Sequence, residues 1–218
     1  MNRELIIKQA VEFVKSYMED KEAGHNWWHI HRVRENARYI LSKEGQGDSY
    51  IVELSALLHD IGDDKIDAKT DGVELVRSFL SSIGVEERVI DSVTEIMSKI
   101  SFRDSFGSDF SRSIELDIVQ DADRLDAIGA IGIARAFAYG GSKGNEIYNP
   151  EIERRNYKSK QEYTSSDSST INHFYEKLLL LKGMMNTESG LKLAEERHRY
   201  MENFLDKFFS EWDINFKL

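Results

Sequence analysis

The sequence predicts an all-α protein folded as a single-domain helical bundle, and three observations support that class. One proline, Pro150, stands in 218 residues, so little in the sequence interrupts a helix. Apolar residues recur three and four positions apart, as they do on the buried face of a helix. Few stretches show the alternating pattern of a half-buried strand. A chain of this length lies within the range of one domain and can bury roughly 70 to 75% of its unfolded surface.

The individual helices follow from local composition. The amino-terminal stretch mixes apolar and charged residues at helical spacing, and the helix before His59 is apolar nearly all round, which predicts a buried helix. Gly45, Gly47 and Gly84 are expected to stop helices. Small residues after a cluster of aspartates allow another helix to approach, which favours the middle of the bundle. The predicted spans are Arg3 to Met18, Trp27 to Ser42, Tyr50 to His59, Gly72 to Ser82, Val85 to Lys99, Leu116 to Tyr139, Thr170 to Met185 and Glu188 to Trp212.

Residues 140–169 are rich in glycine, serine, asparagine and charge, and they predict a long loop. Loops of this length inside a compact domain are usually mobile or act as lids, although disorder without function explains the composition equally well. No internal repeat or second domain is indicated.

The net charge and the amino-acid composition limit the kinds of ligand and cellular location that are expected for this protein. A formal net charge of −10 argues against long nucleic acid, because phosphate backbones are held by clustered lysine and arginine. A small phosphorylated substrate is compatible, since a bound divalent cation reverses the local potential. The absence of cysteine excludes disulfides and thiolate metal sites and agrees with a reducing, cytoplasmic compartment. No stretch has the roughly 18 unbroken apolar residues of a membrane-spanning helix, and no signal peptide is recognised, so neither a membrane nor secretion is expected.

Three of the six histidines stand within seven residues, and helical phase separates them. His29 shares a face with Val33 and Ile40, at the edge of the buried side, and is expected to point inward. His31 falls on a charged stripe that is expected to face water. His25 lies one turn before His29, and such a pair can bind zinc from one helix, but a capping or core histidine explains either residue equally well.

The buried third helix ends in adjacent His59 and Asp60. An unpaired carboxylate away from water is costly, so Asp60 requires a hydrogen bond, an ion pair or a metal. Adjacent helical positions differ by about 100°, so both side chains can reach one cation lying between them. The alternative is a helix end with a favourable histidine and a solvent-facing aspartate.

Three aspartates lie within residues 121–126. Asp123 shares a face with small residues that are expected to lean inward, Ala127, Ala130 and Ala134. Asp121 aligns with Arg124 and Arg135, which offers it an ion pair instead of a metal. Asp121 and Asp126 are both chemically able to replace Asp123 as a ligand.

These segments together offer two imidazoles and two carboxylates from separate helices. Mixed nitrogen and oxygen ligands suit one divalent ion, which can be Mn, Mg, Fe, Ni or Zn. Four protein ligands leave two positions of an octahedral ion for water and a phosphate oxygen. An ion held in this way acidifies its water and draws charge off a phosphoryl group.

The order and separation of the motifs resemble the HD-domain superfamily of metal-dependent phosphohydrolases, in its small stand-alone bacterial form. The motifs are His29-x-x-Arg32-Val33, His59-Asp60-Ile61-Gly62 and Asp123-Arg124-Leu125. The resemblance implies an HD-type helical bundle with a metal-binding core at about residues 25–140, and the C-terminal helices at about 170–213 are similar to those of the small bacterial members. The mobile loop expected at about 140–169 lies between the two. It also implies the metal ligands His29, His59, Asp60 and Asp123. Asn26 departs from the family, which often carries aspartate there, but that position is not a ligand.

The family implies hydrolysis of a nucleotide or a related phosphoester or pyrophosphate, with a metal-bound hydroxide attacking phosphorus. In the turn after the His-Asp pair, Asp63 or Asp64 is expected to orient the attacking water and Lys65 to hold a phosphate. A solvated turn explains these three residues equally well.

The residues that bind phosphate and the general acid are not assigned to single positions. Arg32 and Arg124 are candidate phosphate clamps, with ion pairs to nearby aspartates as the alternative. No general acid is assigned, and His25 and His173 are weak candidates. One alternative function is a cyclic-nucleotide phosphodiesterase, which usually needs two metals and more histidines. Another is a nucleotide sensor that binds without turnover, which the intact ligand set disfavours.

Overall fold

A computed structural model of the protein describes residues 2–19, 26–62, 71–100, 112–155 and 168–212. Every regular element within these ranges is helical and none is a strand, which confirms the all-α class. The first half of the chain forms α1 (Arg3–Tyr17), α2 (Trp27–Glu44), α3 (Ser49–Leu58), α4 (Gly72–Ser82) and α5 (Glu87–Lys99). The second half forms α6 (Ile114–Asp126), α7 (Gly129–Ser142), α8 (Thr170–Glu176), a 3-10 helix (Leu178–Met184) and α9 (Glu188–Trp212).

Helix α3 lies at the centre of the bundle. It packs against α1, α2, α5 and α6, and all of its residues except Ser49 and Glu53 are buried, as its composition predicts. Helix α2 packs against both α3 and α6. The start of α2, the end of α3 and the end of α6 are therefore held beside one another at one end of the core.

Helix α9 closes the bundle over its second half. It packs against α7, the 3-10 helix, α6 and α2. Phe204 and Phe208 on α9 join Phe137 on α7 and Phe174 on α8 in one aromatic cluster. None of the described helices combines the length and the apolar composition that are needed to cross a membrane.

The single helix predicted from Leu116 to Tyr139 is wrong, because the chain breaks between α6 and α7. Gly129 at the start of α7 has a φ of +75°, and a Cβ there would lie 3.0 Å from the side chain of Arg197. The last carbonyls of α6 accept hydrogen bonds from side chains instead, that of Leu125 from Arg197 and that of Asp126 from Arg135. The break resets the helical phase, so Ala130 and Ala134 are exposed and do not lean inward.

The helix predicted from Thr170 to Met185 also divides. Helix α8 ends at Glu176, Lys177 leaves the helical region, and a 3-10 helix follows. The guanidinium of Arg124 donates to the carbonyl of Met184 and holds the end of that turn. Of the predicted loop at 140–169, the first three residues complete α7, and 156–167 lie outside the described residues. Its mobility stays a prediction, as does the single-domain organisation.

Asp121 ties α6 to the start of α9. Its carboxylate is fully buried and accepts hydrogen bonds from the backbone and side chain of Asn186 and of Thr187, at 2.8 to 3.0 Å. Gly190 permits this approach, since a Cβ there would lie 2.5 Å from Asp121 Oδ2. The predicted pair with Arg124 is present at 3.8 Å, whereas Arg135 binds Asp126. Burial raises the pKa of Asp121 in spite of these hydrogen bonds.

We expect Asp121→Ala to lower the free energy of unfolding by about 3 kcal/mol or more, because it leaves several buried donors at the start of α9 without an acceptor. Urea unfolding monitored by circular dichroism measures this loss. Asp206→Ala, which removes an exposed carboxylate from α9, is the matched control and is expected to change stability by less than about 0.5 kcal/mol. Equal stabilities of the two variants would contradict the anchoring role.

Candidate metal centre

His29 points into the core from the first turn of α2. The side chain of Asn26 starts the helix by accepting from the backbone amides of Trp28 and His29, at 3.1 and 3.3 Å. His29 is 1% exposed, so its predicted orientation is confirmed. His31 is only partly buried and lies beside the exposed Trp28, with the ring centroids 5.9 Å apart. His25 lies outside the described residues.

His59 and Asp60 stand at the end of α3. His59 Nδ1 lies 3.0 Å from the carbonyl oxygen of Ala56, to which it can donate, and this tautomer leaves Nε2 as the free acceptor. His59 Nε2 is buried and has no hydrogen-bond partner within the described part of the chain. Asp60 Oδ2 lies 3.2 Å from His29 Nε2, and Asp60 Oδ1 lies 3.3 Å from His59 Nε2.

Asp123 approaches the same point from α6. Its Oδ1 lies 3.6 Å from His29 Nε2 and 3.8 Å from His59 Nε2. His29, His59 and Asp123 each offer one ligand atom, and these three atoms lie within 4.8 Å of one another. The side chain of Asp123 is 37% exposed, whereas those of His29 and His59 are 1% exposed. The cluster therefore opens toward solvent on the side of Asp123.

The residues present fit a divalent ion. Nitrogen and carboxylate ligands bind such ions at about 2.0 to 2.2 Å, so donor atoms 3 to 4 Å apart can share one. Both histidines present Nε2 to the cluster and hold Nδ1 against an oxygen, which is the usual arrangement of metal-binding histidine. The buried, unpartnered Nε2 of His59 is the atom that a cation would satisfy. The four residues that the resemblance implies as ligands are thus brought together, and their binding of metal stays a prediction.

Asp126 supports His29 from behind. Its Oδ2 lies 2.7 Å from His29 Nδ1, and both residues are buried. Arg32 donates to the same carboxylate through Nε and Nη2, at 2.6 and 3.0 Å, and Arg135 donates at 2.6 Å. Burial alone would raise the pKa of Asp126, but hydrogen bonds from His29 and Arg32 hold it well below its usual range. Asp126 is therefore an ionised acceptor that fixes the ring orientation of His29.

The same contacts act on His29. Burial lowers its pKa, but hydrogen bonds to Asp126 and Asp60, together with the charge of Asp60, raise it to about 9. The cluster thus attracts positive charge to His29. A metal ion must replace the proton on Nε2, so protons and metal compete for this atom.

The residues predicted to contact substrate lie in different surroundings. The side chain of Arg32 is 34% exposed and forms an ion pair with Asp126. Such an ion pair is the alternative to phosphate binding that the sequence offers for Arg32. Arg124 is 6% exposed and binds the backbone of the 3-10 helix. His173 is half-buried on α8. Asp63, Asp64 and Lys65 lie outside the described residues.

The sequence did not predict that Asp126 contacts His29 or that Arg135 binds Asp126. Its pattern indicates Asp126 as a substitute ligand and Arg135 as a partner of Asp121. The available signal was the spacing of three between Asp123 and Asp126, which places both on adjacent parts of one helix face. A second carboxylate there can orient a ligand while the first binds the ion.

Known proteins resemble this chain in sequence and in fold. Residues 27–128 match the model of the HD domain family. A protein named YpgQ from Bacillus subtilis is 42% identical over 204 residues, which cover 91% of each chain. The crystal structure of YpgQ in complex with ADP superimposes with a TM-score of 0.75 and 38% identity, covering 94% of this chain and 97% of that one.

A third similarity is to an HD-superfamily hydrolase from Bacillus thuringiensis. Its crystal structure superimposes with a TM-score of 0.77 and 41% identity, and the match covers 97% of this chain and 98% of that one. The fold is thus that of HD-superfamily hydrolases, and it contains a His29, His59 and Asp123 group that can hold a metal.

Proposed function

The chain belongs to the HD domain family, and on that premise we propose that it is a metal-dependent phosphohydrolase that cleaves a phosphoester or phosphoanhydride bond of a nucleotide. The observation that carries the proposal is the convergence of His29, His59 and Asp123 on one point, backed by Asp126. Nitrogen and carboxylate ligands suit Mn, Mg, Fe, Ni or Zn.

In this proposal His29, His59, Asp60 and Asp123 hold one divalent ion. Such an ion, when bound, lowers the pKa of a coordinated water and withdraws charge from a phosphoryl group. The buried histidines exclude water from the inner side of the cluster. The exposed edge of Asp123 leaves the outer side open, so the substrate phosphate approaches there.

A nucleotide is supported as the substrate class by the likeness to YpgQ, whose crystal structure contains ADP. The net charge of −10 disfavours a long polynucleotide in the same role. Among the proposed phosphate contacts at the metal centre Lys65 comes first, because Arg124 is buried against the backbone and Arg32 binds Asp126 on the Nδ1 side of His29, away from the ligand cluster. Asp63 or Asp64 is proposed to orient the attacking water.

A nucleotide panel tests the proposal. The purified chain is incubated with each divalent ion and with nucleoside mono-, di- and triphosphates and cyclic nucleotides. The release of phosphate, pyrophosphate and nucleoside monophosphate is measured, and nucleotide binding is measured by calorimetric titration. We expect turnover of at least one nucleotide, loss of turnover in EDTA, and a rate at background for Asp60→Asn. Asp117→Asn is the matched control, because Asp117 lies on α6 and pairs with Arg112.

Other outcomes identify the alternatives. Turnover confined to cyclic nucleotides would replace the proposal with a phosphodiesterase. Metal-dependent nucleotide binding without product would indicate a sensor. Full activity in Asp60→Asn would contradict hydrolysis at this metal centre.

A further inference from the structure

A cavity of about 620 Å³ lies between α2, the start of α7 and α9. This volume falls within the range of about 300 to 1,000 Å³ that is typical of small-molecule sites. Its walls include Arg32, Ile131, Arg197, Arg199 and Tyr200.

The cavity is separate from the metal centre. None of His29, His59, Asp60 and Asp123 lines it, and the wall between the two is formed by Asp126. Asp126 contacts the Nδ1 side of the His29 ring, whereas the ligand cluster lies on the Nε2 side. A phosphate group at the metal centre therefore does not occupy this cavity.

The arginines and acids that line the cavity are equal in number, but two of the acids are also paired with arginines outside the wall. Asp126 in its wall is already neutralised by Arg32 and Arg135, and Glu35 pairs with Arg38 at 3.4 Å. The wall itself carries three arginines and three acids, and Arg135 and Arg38 pair with two of those acids from outside it, so five arginines face three acids here although the whole chain carries a net charge of −10. Arginine-rich concave surfaces of this kind favour anions.

Two of these arginines have donors to offer. Arg32 binds Asp126 through Nε and Nη2, and within the described ranges its Nη1 has no partner. Arg199 makes no hydrogen bond or ion pair to any described residue. Arg197 is already fixed, since it donates to the carbonyl of Leu125 and to the side chain of Asn36. Arg32 and Arg199 can therefore both donate to a phosphate.

Apolar side chains line the cavity beside its arginines. Ile131 on α7 is 46% exposed and Tyr200 on α9 is 56% exposed, and both line the cavity. Exposed large apolar side chains beside arginines suit a ligand with a planar ring and an anionic end. A nucleoside phosphate has both parts and a matching size.

We propose that this cavity is a second binding site, which takes a nucleoside phosphate without a metal ion. The phosphate contacts Arg32 and Arg199, and the base lies against Tyr200 and Ile131. This site is independent of the proposed hydrolysis at the metal centre.

Calorimetric titration in EDTA with α,β-methylene-ADP, a nucleotide that resists hydrolysis between its two phosphates, tests the site. We expect the unaltered chain and His59→Ala to bind one equivalent with similar affinity. Arg199→Glu is expected to weaken binding at least tenfold and Tyr200→Ala several-fold. Arg88→Glu, the same charge change at an exposed position on α5, is the control and is expected to bind as the unaltered chain does.

Three results would overturn the inference: no binding by the unaltered chain in EDTA, loss of binding in His59→Ala, or full affinity in Arg199→Glu. Since the titration contains no divalent ion, its outcome is separate from that of the hydrolysis assay.

Discussion

Replacing His29 by alanine is expected to lower the affinity for a divalent ion by at least about a hundredfold, whereas His31→Ala is expected to leave it nearly unchanged. The loss of a residue that merely orients a ligand typically lowers affinity about 10- to 100-fold, so removal of the ligand itself should exceed that range. His29 Nε2 lies 3.6 Å or less from Asp60 and Asp123, while His31 is on another face of α2.

Calorimetric titration with Mn²⁺, together with the metal content after dialysis, measures the difference between the two variants. His31→Ala is a matched control, because it removes the same side chain two positions away on the same helix. If His31→Ala lowers metal affinity more than His29→Ala does, His31 supplies the ligand, and the inward orientation of His29 on α2 does not serve metal binding.

Asp126→Asn is expected to lower metal affinity about 10- to 100-fold while keeping the shape of the side chain. The ionised carboxylate holds His29 Nδ1 at 2.7 Å and is itself held by Arg32 and Arg135. An amide is a weaker acceptor for His29 and leaves both arginines without their counter-charge. His29 is then less firmly oriented and a poorer metal ligand.

Two measurements distinguish this positioning role from a loss of folding. Metal affinity is measured by titration, and stability is measured by urea unfolding in EDTA at the same pH. Asp117→Asn makes the same change in an arginine-paired carboxylate of α6, and we expect it to keep the metal affinity within about twofold. If Asp126→Asn loses stability but keeps its metal affinity, the ion pairs of Asp126 stabilise the fold and do not orient His29 for metal binding.

The elements that could be predicted are those whose evidence is local. The burial of α3 follows from a run of apolar residues that is interrupted by a single charged side chain, Glu53. The inward orientation of His29 follows from its phase with Val33 and Ile40, both fully buried. The break before Gly129 was not predicted, because the helical spacing of apolar and small residues continues through it. At the break Gly129 adopts a left-handed φ of +75°, and Arg197 from α9 donates to the carbonyl of Leu125 at the end of α6.

The candidate site divides in the same way. The order of His29, His59-Asp60 and Asp123 was sufficient to suggest one metal and its family, because each motif lies on its own helix and each is legible from neighbouring residues. The role of Asp126 depends on a contact across 97 positions, and that of Arg32 on a contact across 94.

Helical periodicity alone therefore establishes the all-α class, the buried helices and the segments that carry the histidines and aspartates. It acts over a few residues, so it cannot tell which of three neighbouring aspartates faces the cluster, which anchors α9 and which orients His29. Those assignments arise when α2, α3, α6 and α9 pack together, because a buried carboxylate is held by whichever donors the packed helices bring to it.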